Sequence, residues 1–204
     1  VLVLAFESAD HPLEVWLKRS LELCADYGGL PDPEDASRED AHRSGTAGEW
    51  RERFVRMPWF REALTARGII SDTVETAITW ERFAPLYASV KTATEQAIQQ
   101  ATGRPGFVSC RFTHVYPDGP AVYFTFQALG NKTALLEQFW TIKRAAANAI
   151  MQAGGTITHH HAVGRDHRSW YDQERPEVFA VALRAVKRAI DPNWLLNPGV
   201  LIDA

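Results

Sequence analysis

The sequence predicts an α+β domain with a mostly antiparallel sheet and with helices packed on one face. Long segments with helical periodicity separate short segments in which apolar and polar residues alternate. Two of these short segments, 107–116 and 121–128, flank the turn sequence Pro-Asp-Gly-Pro at 117–120, which predicts a β-hairpin. The chain has 204 residues, of which 46% are hydrophobic and 23% charged, and this composition is typical of a folded soluble protein.

The first part of the chain predicts a strand, two helices, a loop and a second strand. Residues 1–6 form a short, continuously apolar run, which indicates a buried strand, and apolar residues at helical spacing follow over 12–24. Residues 31–49 are polar and contain proline and glycine, which predicts a long loop, either a lid or a solvated excursion. Residues 50–67 look mostly helical, and 72–80 alternate as a half-buried strand does.

The second part repeats this pattern around the hairpin. Residues 81–101 carry one apolar stripe at helical spacing and predict a long helix. Gly154 and Gly155 end a later helical pattern, because glycine adopts the left-handed cap conformation without steric cost. The other predicted elements are a helix from Asn131 or Thr133 to Ala153, a strand at 156–161 and a helix at 176–190.

Three consecutive histidines, His159, His160 and His161, form the most unusual feature of the sequence. On the predicted strand, His159 and His161 would share one face with Ile157, and His160 would point to the other face. This segment has three interpretations: a solvated polar run, a metal site, and a site that binds an anion or moves protons. We favour the last, since imidazole has a pKa near about 6.5. No companion cluster of Cys, Asp or Glu appears at ligand spacing, so we expect no metal.

Charge and cysteine content exclude some classes of function. A formal net charge of -3 argues against nucleic-acid binding, which needs a basic surplus. The two cysteines are too few for a disulfide framework, so we expect a cytoplasmic location. The chain begins without Met inside a strand-like run, which suggests a fragment of a longer protein.

Other candidate site residues carry charge or a phenol next to aromatic residues. Tyr123 lies on the polar face of the second hairpin strand, where it is either a base or an ordinary amphipathic surface residue. Arg61 lies in an aromatic setting and could hold a carboxylate or phosphate, or simply form a solvated pair with Glu62. Arg165 and Arg111 are further candidate contacts for a substrate anion.

Several short motifs resemble one family. In order, they are Cys110 to Tyr116, Val122 to Phe124, Gly154 to Gly164, Asp191 to Asn193, and Leu196 to Gly199. They are similar to the C-terminal part of the FAD-linked oxidases of the vanillyl-alcohol oxidase type, and most similar to that of the alkyldihydroxyacetonephosphate synthases. The triple histidine is the specific part of the match, whereas the Asn-Pro-Gly ending identifies only the wider superfamily.

This resemblance implies that residues 1–204 are a C-terminal cap or substrate-binding domain with a ferredoxin-like core. An FAD-binding domain would precede Val1 and hold most of the FAD. By position, Tyr123 matches the proton-abstracting tyrosine, and Arg61 matches the arginine that holds the fatty-acid carboxylate. The active-site histidines correspond to His159, His160 and His161, of which His160 and His161 would also contact the flavin.

The implied reaction exchanges acyl for alkyl on acyl-dihydroxyacetone phosphate through an adduct at flavin N5, without net oxidation. His114, Thr125 and Ala162 depart from the family's pattern, which leaves other functions open. One is an FAD-dependent oxidase or dehydrogenase of a hydroxy acid or an alcohol. Another is a ligand-binding domain without chemistry. The expected partners are a lipid-like phosphate or carboxylate substrate and the FAD-binding domain; a homodimer and peripheral membrane contact stay open.

Overall fold

A computed structural model of the chain describes residues 2, 4, 6, 8–30 and 45–203. The chain divides into two compact units, Val1–Glu62 and Ala63–Ala204. Helix α1 (Glu14–Asp26) belongs to the first unit, and helix α2 (Gly45–Ala66) begins in it and ends in the second. 

Two predictions for the first unit fall wholly or partly on residues outside this description. Positions 1, 3 and 5 of the predicted first strand are not described, and neither are residues 31–44 of the predicted loop. Residues 45–49, the end of that predicted loop, are helical, so the loop prediction was wrong there.

The second unit contains an antiparallel sheet of three strands and four further helices. The strand order is β1-β3-β2, so the central strand pairs with its hairpin partner on one side and with β1 on the other. The elements are β1 (Ile69–Ala77), α3 (Trp80–Thr102), β2 (Phe107–Val115), β3 (Pro120–Leu129), α4 (Leu135–Ala153), α5 (Arg168–Glu174) and α6 (Glu177–Ile190).

The apolar core lies on one face of the sheet, under α3 and α4. Strand β3 alternates strictly, so that Val122, Phe124 and Phe126 are buried on this face. The stripe of α3 and that of α4 pack against them, as the periodicity of both helices predicts. The α+β class and the one-sided packing are therefore confirmed. The core side chains of the two helices include Leu86, Val90, Ile98, Ile142, Ala146 and Ile150.

Some predicted boundaries were wrong. The first strand of the sheet ends at Ala77, and Trp80 is the first residue of α3, where its indole Nε1 donates to the carbonyl oxygen of Tyr116, 3.0 Å away. Helix α4 is capped at Ala134, since the side-chain oxygen of Asn131 accepts hydrogen bonds from Thr133 instead. The short helix α5 was not predicted. Among the described residues, no helix combines the length and the hydropathy needed to cross a membrane.

An ion pair lies inside the helix-covered face of the sheet. Lys143 of α4 is 4% exposed. Its Nζ donates to Oδ2 of Asp72 at 2.9 Å and to the carbonyl oxygen of Thr73 at 2.7 Å, which ties α4 to β1. Both charges are largely removed from water, so each depends on the other for compensation.

We expect Asp72→Ala to lower the free energy of unfolding by about 3–5 kcal/mol, because it leaves the Lys143 ammonium buried without a carboxylate. Urea unfolding followed by circular dichroism measures this loss. The control is Glu95→Ala, which removes the partner of Lys91 from a half-exposed pair on α3 and should cost much less. Equal losses in the two variants would show that the buried pair does not contribute in this way.

Candidate functional site

A row of three functional side chains crosses the sheet on the face opposite the core. Register places Glu75 of β1 opposite Tyr123 of β3, and Tyr123 opposite Arg111 of β2. Residues directly opposite one another on adjacent strands point to the same face. The guanidinium carbon of Arg111 lies 4.5 Å from the centre of the Tyr123 ring. The phenol therefore has a cation on one side and a carboxylate on the other.

The carboxylate of Glu75 organises the histidine segment through backbone hydrogen bonds. Its Oε1 accepts from the N–H of His159 at 2.9 Å, from that of His160 at 2.6 Å, and from that of His161. The predicted strand at 156–161 was wrong, because three consecutive N–H groups that converge on one oxygen cannot alternate as a strand requires. Glu75 is 2% exposed, so this buried charge is satisfied mainly by the segment that it holds.

Two glycines bring the segment close to the sheet. Gly154 ends α4 in the left-handed conformation with φ 76°, as the sequence predicted. A Cβ on Gly155 would lie 2.4 Å from the hydroxyl oxygen of Thr76, so only glycine fits there. Thr156 then pairs with the edge of β1: its N–H donates to the carbonyl oxygen of Ala77, and its hydroxyl accepts from the Ala77 N–H at 2.9 Å.

The three imidazoles face one cluster, contrary to the prediction that His160 would point away. The ring centres of His160 and His161 are 4.9 Å apart, and those of His159 and His160 are 5.8 Å apart. The Tyr123 ring lies 5.3 Å from that of His161 and 6.2 Å from that of His160. The structure thus brings Tyr123, His160 and His161 together on the open face of the sheet.

Burial and charge set opposite protonation tendencies in this cluster. Burial alone would raise the pKa of Glu75, but the backbone N–H groups of His161 and His159 outweigh it, and the pKa lies below its ordinary value. Burial lowers the pKa of His161, and the Glu75 charge only partly opposes this. The site therefore combines a carboxylate that stays ionised with an imidazole that stays neutral at neutral pH.

A second group of side chains extends the cluster toward the hairpin end. His114 lies 5.1 Å from His159 and 5.5 Å from His160, measured between ring centres, and it stacks on Tyr116. The Tyr116 hydroxyl and Nε2 of His159 share a hydrogen bond of 3.2 Å. A β-bulge after Phe112 turns His114 to the face of the sheet that carries Tyr123.

The structure supplies companions for the histidines that sequence spacing did not show. One ring nitrogen each of His114, His159 and His160 lie within 4.8 Å of one another. In a second set, a carboxylate oxygen of Glu75 and one ring nitrogen each of His160 and His161 also lie within 4.8 Å of one another. Nδ1 of His160 lies 2.7 Å from Oε2 of Glu75, but without the direction of a hydrogen bond.

The two remaining candidate arginines have different surroundings. Arg165 lies in the turn after the histidine segment, and its guanidinium donates to the carbonyl oxygen of Pro198 at 3.0 Å, which ties that turn to the C-terminal tail. Arg61 is an exposed residue of α2 in the first unit. Their roles in binding a substrate anion stay predictions.

Most side chains of the cluster around Tyr123 are accessible from outside. Arg111 and His160 are exposed, and Tyr123 and His161 are partly exposed, whereas Glu75 is buried. A cleft of about 310 Å³ is lined by other residues, which include Ile157, Tyr171, Arg175 and Phe179. The phenol, the guanidinium and the imidazoles therefore lie where another part of a protein can cover them.

Sequence reasoning did not identify Glu75, His114 or Tyr116 as members of the site. Glu75 reads as an ordinary polar position in an alternating strand, and only the fold brings it next to residues 84 to 86 positions later. The signal that could have identified Glu75 is a carboxylate between Val74 and Thr76, since all three side chains are buried and a buried carboxylate needs partners.

Comparison with known proteins places the chain among flavin-linked enzymes. The family model described as FAD linked oxidases, C-terminal domain, matches residues 1–201. Alkyldihydroxyacetonephosphate synthase of Caenorhabditis elegans is 32% identical over 148 residues, or 71% of this chain and 25% of that protein. The synthase of Trypanosoma brucei brucei is 28% identical over 76% of this chain and 25% of its own length. The chain thus spans about a quarter of the length of these relatives.

Weaker matches extend the comparison. An uncharacterised FAD-linked oxidoreductase of Escherichia coli (strain K12) is 21% identical over 69% of this chain and 30% of its own length. A solved structure of alkyldihydroxyacetonephosphate synthase in the P1 form has a TM-score of 0.56 and 18% identity, and covers 88% of this chain and 27% of that one. A second, in the P212121 form, has a TM-score of 0.53 and 21% identity over 73% of this chain and 24% of that one. Both show the same fold.

We expect Glu75→Ala to free the histidine segment without unfolding the sheet. Each of the three N–H groups loses its acceptor, so the amide hydrogens of His159, His160 and His161 should exchange at least about tenfold faster. Hydrogen exchange followed by NMR measures this, with the Ile150 amide in α4 as the internal reference. Glu75→Gln keeps one acceptor oxygen and should show a smaller effect, and unchanged protection in the alanine variant would contradict the assigned role.

We also expect the free energy of unfolding to fall as the pH drops below about 6.5. Burial is the main cause that lowers the pKa of both His161 and His167, so the unfolded chain binds protons in a pH range where the folded chain does not. The stability is therefore present above about 6.5 and is lost as the pH falls toward the folded values.

Urea unfolding between about pH 7.5 and about pH 5.5 measures this slope. His161→Gln should reduce the slope, whereas substitution of the exposed His11 in the same way should leave it unchanged. A slope that His161→Gln leaves intact would show that this imidazole does not carry the linkage.

Proposed function

The chain belongs to the C-terminal domain family of the FAD-linked oxidases, and on that premise we propose that it is the substrate-binding cap of an alkyldihydroxyacetonephosphate synthase-like flavoenzyme. The observation that carries the proposal is the convergence of Tyr123, Arg111, His160 and His161 on one open face. A phenol that can act as a base, a guanidinium and imidazoles are the groups needed to remove a proton beside a phosphate. The relatives named as this synthase support the substrate class.

The residues of this chain suit the reactive side of FAD but not the whole cofactor. The open face offers a phenol, imidazole rings and a cation, which can contact a planar electron-poor ring. The sequence contains no Gly-x-Gly-x-x-Gly run of the kind that cradles a dinucleotide pyrophosphate. This fits a cofactor held mainly by the rest of a longer protein, with His160 and His161 as contacts at its ring system.

The proposed reaction exchanges the acyl group of acyl-dihydroxyacetone phosphate for an alkyl group. The carbon–oxygen bond to the acyl carboxylate breaks and one to a fatty alcohol forms. The alcohol releases its proton to solvent, the carboxylate leaves, and the carbon that gave up a proton regains one. FAD, when bound, supplies an electron-accepting ring system for this chemistry. No net oxidation occurs in the exchange.

Tyr123 is the base in this scheme. Its phenol oxygen takes the proton from the substrate carbon, and the guanidinium of Arg111 lies over the ring as a neighbouring cation. His161 lies beside the ring with its pKa lowered mainly by burial, so its neutral imidazole can accept the proton from Tyr123.

Anion recognition falls to two imidazoles beside this pair and, by resemblance, to two arginines. His159 and His160 stand on the hairpin side of the cluster and face the substrate phosphate in the proposal. Arg61 is assigned to the fatty-acid carboxylate, and Arg165 to a further anionic contact, on the strength of the sequence resemblance. Glu75 holds the imidazoles in place and does not touch substrate.

A second candidate is an FAD-dependent oxidoreductase acting on a hydroxy acid or an alcohol. The similarity to the FAD-linked oxidoreductase of Escherichia coli favours it, since that match covers nearly the same share of this chain. The same base and cations would serve, because a hydroxy acid also presents an anion next to a carbon that loses hydrogen. Flavin reduction by a panel of 2-hydroxy acids, compared with alkyl exchange on acyl-dihydroxyacetone phosphate, separates the two candidates.

We expect Tyr123→Phe in the full-length protein to abolish alkyl exchange while flavin absorbance stays stoichiometric. The substitution removes only the phenol oxygen, so the ring contacts with Arg111 and His161 persist. The loss should be at least about a hundredfold in kcat, as removal of a general base requires.

The matched control is Tyr87→Phe. Tyr87 stacks on Phe124 on the opposite face of the sheet, and its loss should leave turnover near normal. Near-normal turnover of the Tyr123 variant would remove this residue as the base. Absence of both exchange and flavin reduction in the unaltered protein would favour a ligand-binding domain without chemistry.

A further inference from the structure

We propose that His114, His159 and His160 form a binding site for a divalent transition-metal ion such as Zn²⁺. The proposal goes beyond the exchange chemistry, which uses no metal, and it replaces the expectation from the sequence that no metal is bound. It rests on the arrangement of these three side chains and of the groups that hold them, and not on the proposed function.

The candidate ligand nitrogens of the three histidines already lie close together. One ring nitrogen of each histidine lies within 4.8 Å of the other two. Zinc–imidazole bonds of about 2.0–2.1 Å place tetrahedral ligand nitrogens about 3.3 Å apart, so rotations about the side-chain bonds can close the remaining gap. Two of the rings come from the histidine segment and one from strand β2, so the ion would bridge two elements of the fold.

The backbones that carry these rings are fixed independently of any metal. The N–H groups of His159 and His160 donate to Oε1 of Glu75, which is 2% exposed. His114 is held in the ladder between β2 and β3, opposite Ala121. A site held in this way loses little conformational entropy when the ion binds.

Partners of the kind that support metal ligands are also present. Metal-bound histidines commonly place their second nitrogen beside a carboxylate, and Nδ1 of His160 lies 2.7 Å from Oε2 of Glu75. The Tyr116 hydroxyl contacts Nε2 of His159 at 3.2 Å. The hydroxyl contact orients the ring of His159, and the carboxylate lies where it can orient the ring of His160.

One polar atom of the imidazole set points to a missing ligand. Nδ1 of His159 is buried without a hydrogen-bond partner, whereas Nε2 of the same ring contacts the Tyr116 hydroxyl. Buried polar atoms without partners are uncommon in folded proteins, and an ion or an ordered water is a usual explanation. An ion at this nitrogen would therefore account for an otherwise unfavourable arrangement.

The ligand chemistry selects the class of metal. Three imidazoles without a carboxylate suit Zn²⁺, Co²⁺, Ni²⁺ or Cu²⁺, whereas Mg²⁺ and Ca²⁺ prefer oxygen ligands. His114 and His160 are exposed, which leaves a fourth position open to water or to a bound anion. The alternative set of Glu75, His160 and His161 offers two imidazoles instead of three, and its carboxylate already accepts three backbone hydrogen bonds and lies beside Nδ1 of His160.

Titration of the purified 204-residue chain with Co²⁺ alone tests the proposal, because tetrahedral Co²⁺ gives visible absorption bands. We expect stoichiometric binding that Zn²⁺ displaces. His114→Gln should weaken Co²⁺ binding at least about tenfold, and His114→Asp, which restores a ligand, should recover part of the loss.

Two controls separate this site from the alternatives. His161→Gln removes a ligand of the second set only and should change Co²⁺ affinity less than about threefold. His11→Gln removes an exposed histidine of the first unit and should change nothing. Circular dichroism checks that every variant is folded.

Three outcomes would overturn the proposal. The first is no Co²⁺ binding by the unaltered chain. The second is equal binding by the chain and by its His114→Gln variant. The third is a loss in His161→Gln with His114→Gln unaffected, which would place the ion on Glu75, His160 and His161 instead.

Discussion

The functional face of this chain depends on a single buried carboxylate. Glu75 would be costly inside the protein on its own, because burial disfavours its charged form. Its Oε1 is stabilised by three consecutive backbone N–H groups of the histidine segment. The interaction works in both directions, since the segment has no ladder partner for those N–H groups and would otherwise leave them unsatisfied. One anion thus orders three consecutive histidines, mainly through their backbone.

The sheet separates stability from chemistry. Alternation along β3 sends Phe124 to the helix-covered core and Tyr123 to the open face, only one residue apart in the chain. Close packing on the core side fixes the backbone, and the fixed backbone sets the spacing of the cross-strand row. The side chains of the row can therefore be held on a rigid support.

Much of the fold follows from local patterns in the sequence. Helices α3 and α4, the hairpin and the glycine stop at Gly154 are visible because periodicity and turn chemistry act over a few residues. The conformation of the histidine segment cannot be predicted in this way. Its β-branched composition favours a strand, whereas a carboxylate 84 positions earlier determines its conformation. For the same reason, resemblance and residue chemistry identified Tyr123 and the histidines as site candidates, but only tertiary structure joined His114 to them.

The bulge in β2 decides which face of the sheet His114 occupies. Before it, the residues that share the face of Arg111 occupy alternate positions; one extra residue, Thr113, interrupts this alternation so that His114 joins that face opposite Ala121. A regular ladder through the same residues would instead pair Thr113 with Ala121 and turn the imidazole of His114 toward the helices. The irregularity of the ladder at this one point, and not only the residue type at position 114, therefore decides whether the fourth histidine lies beside the other three.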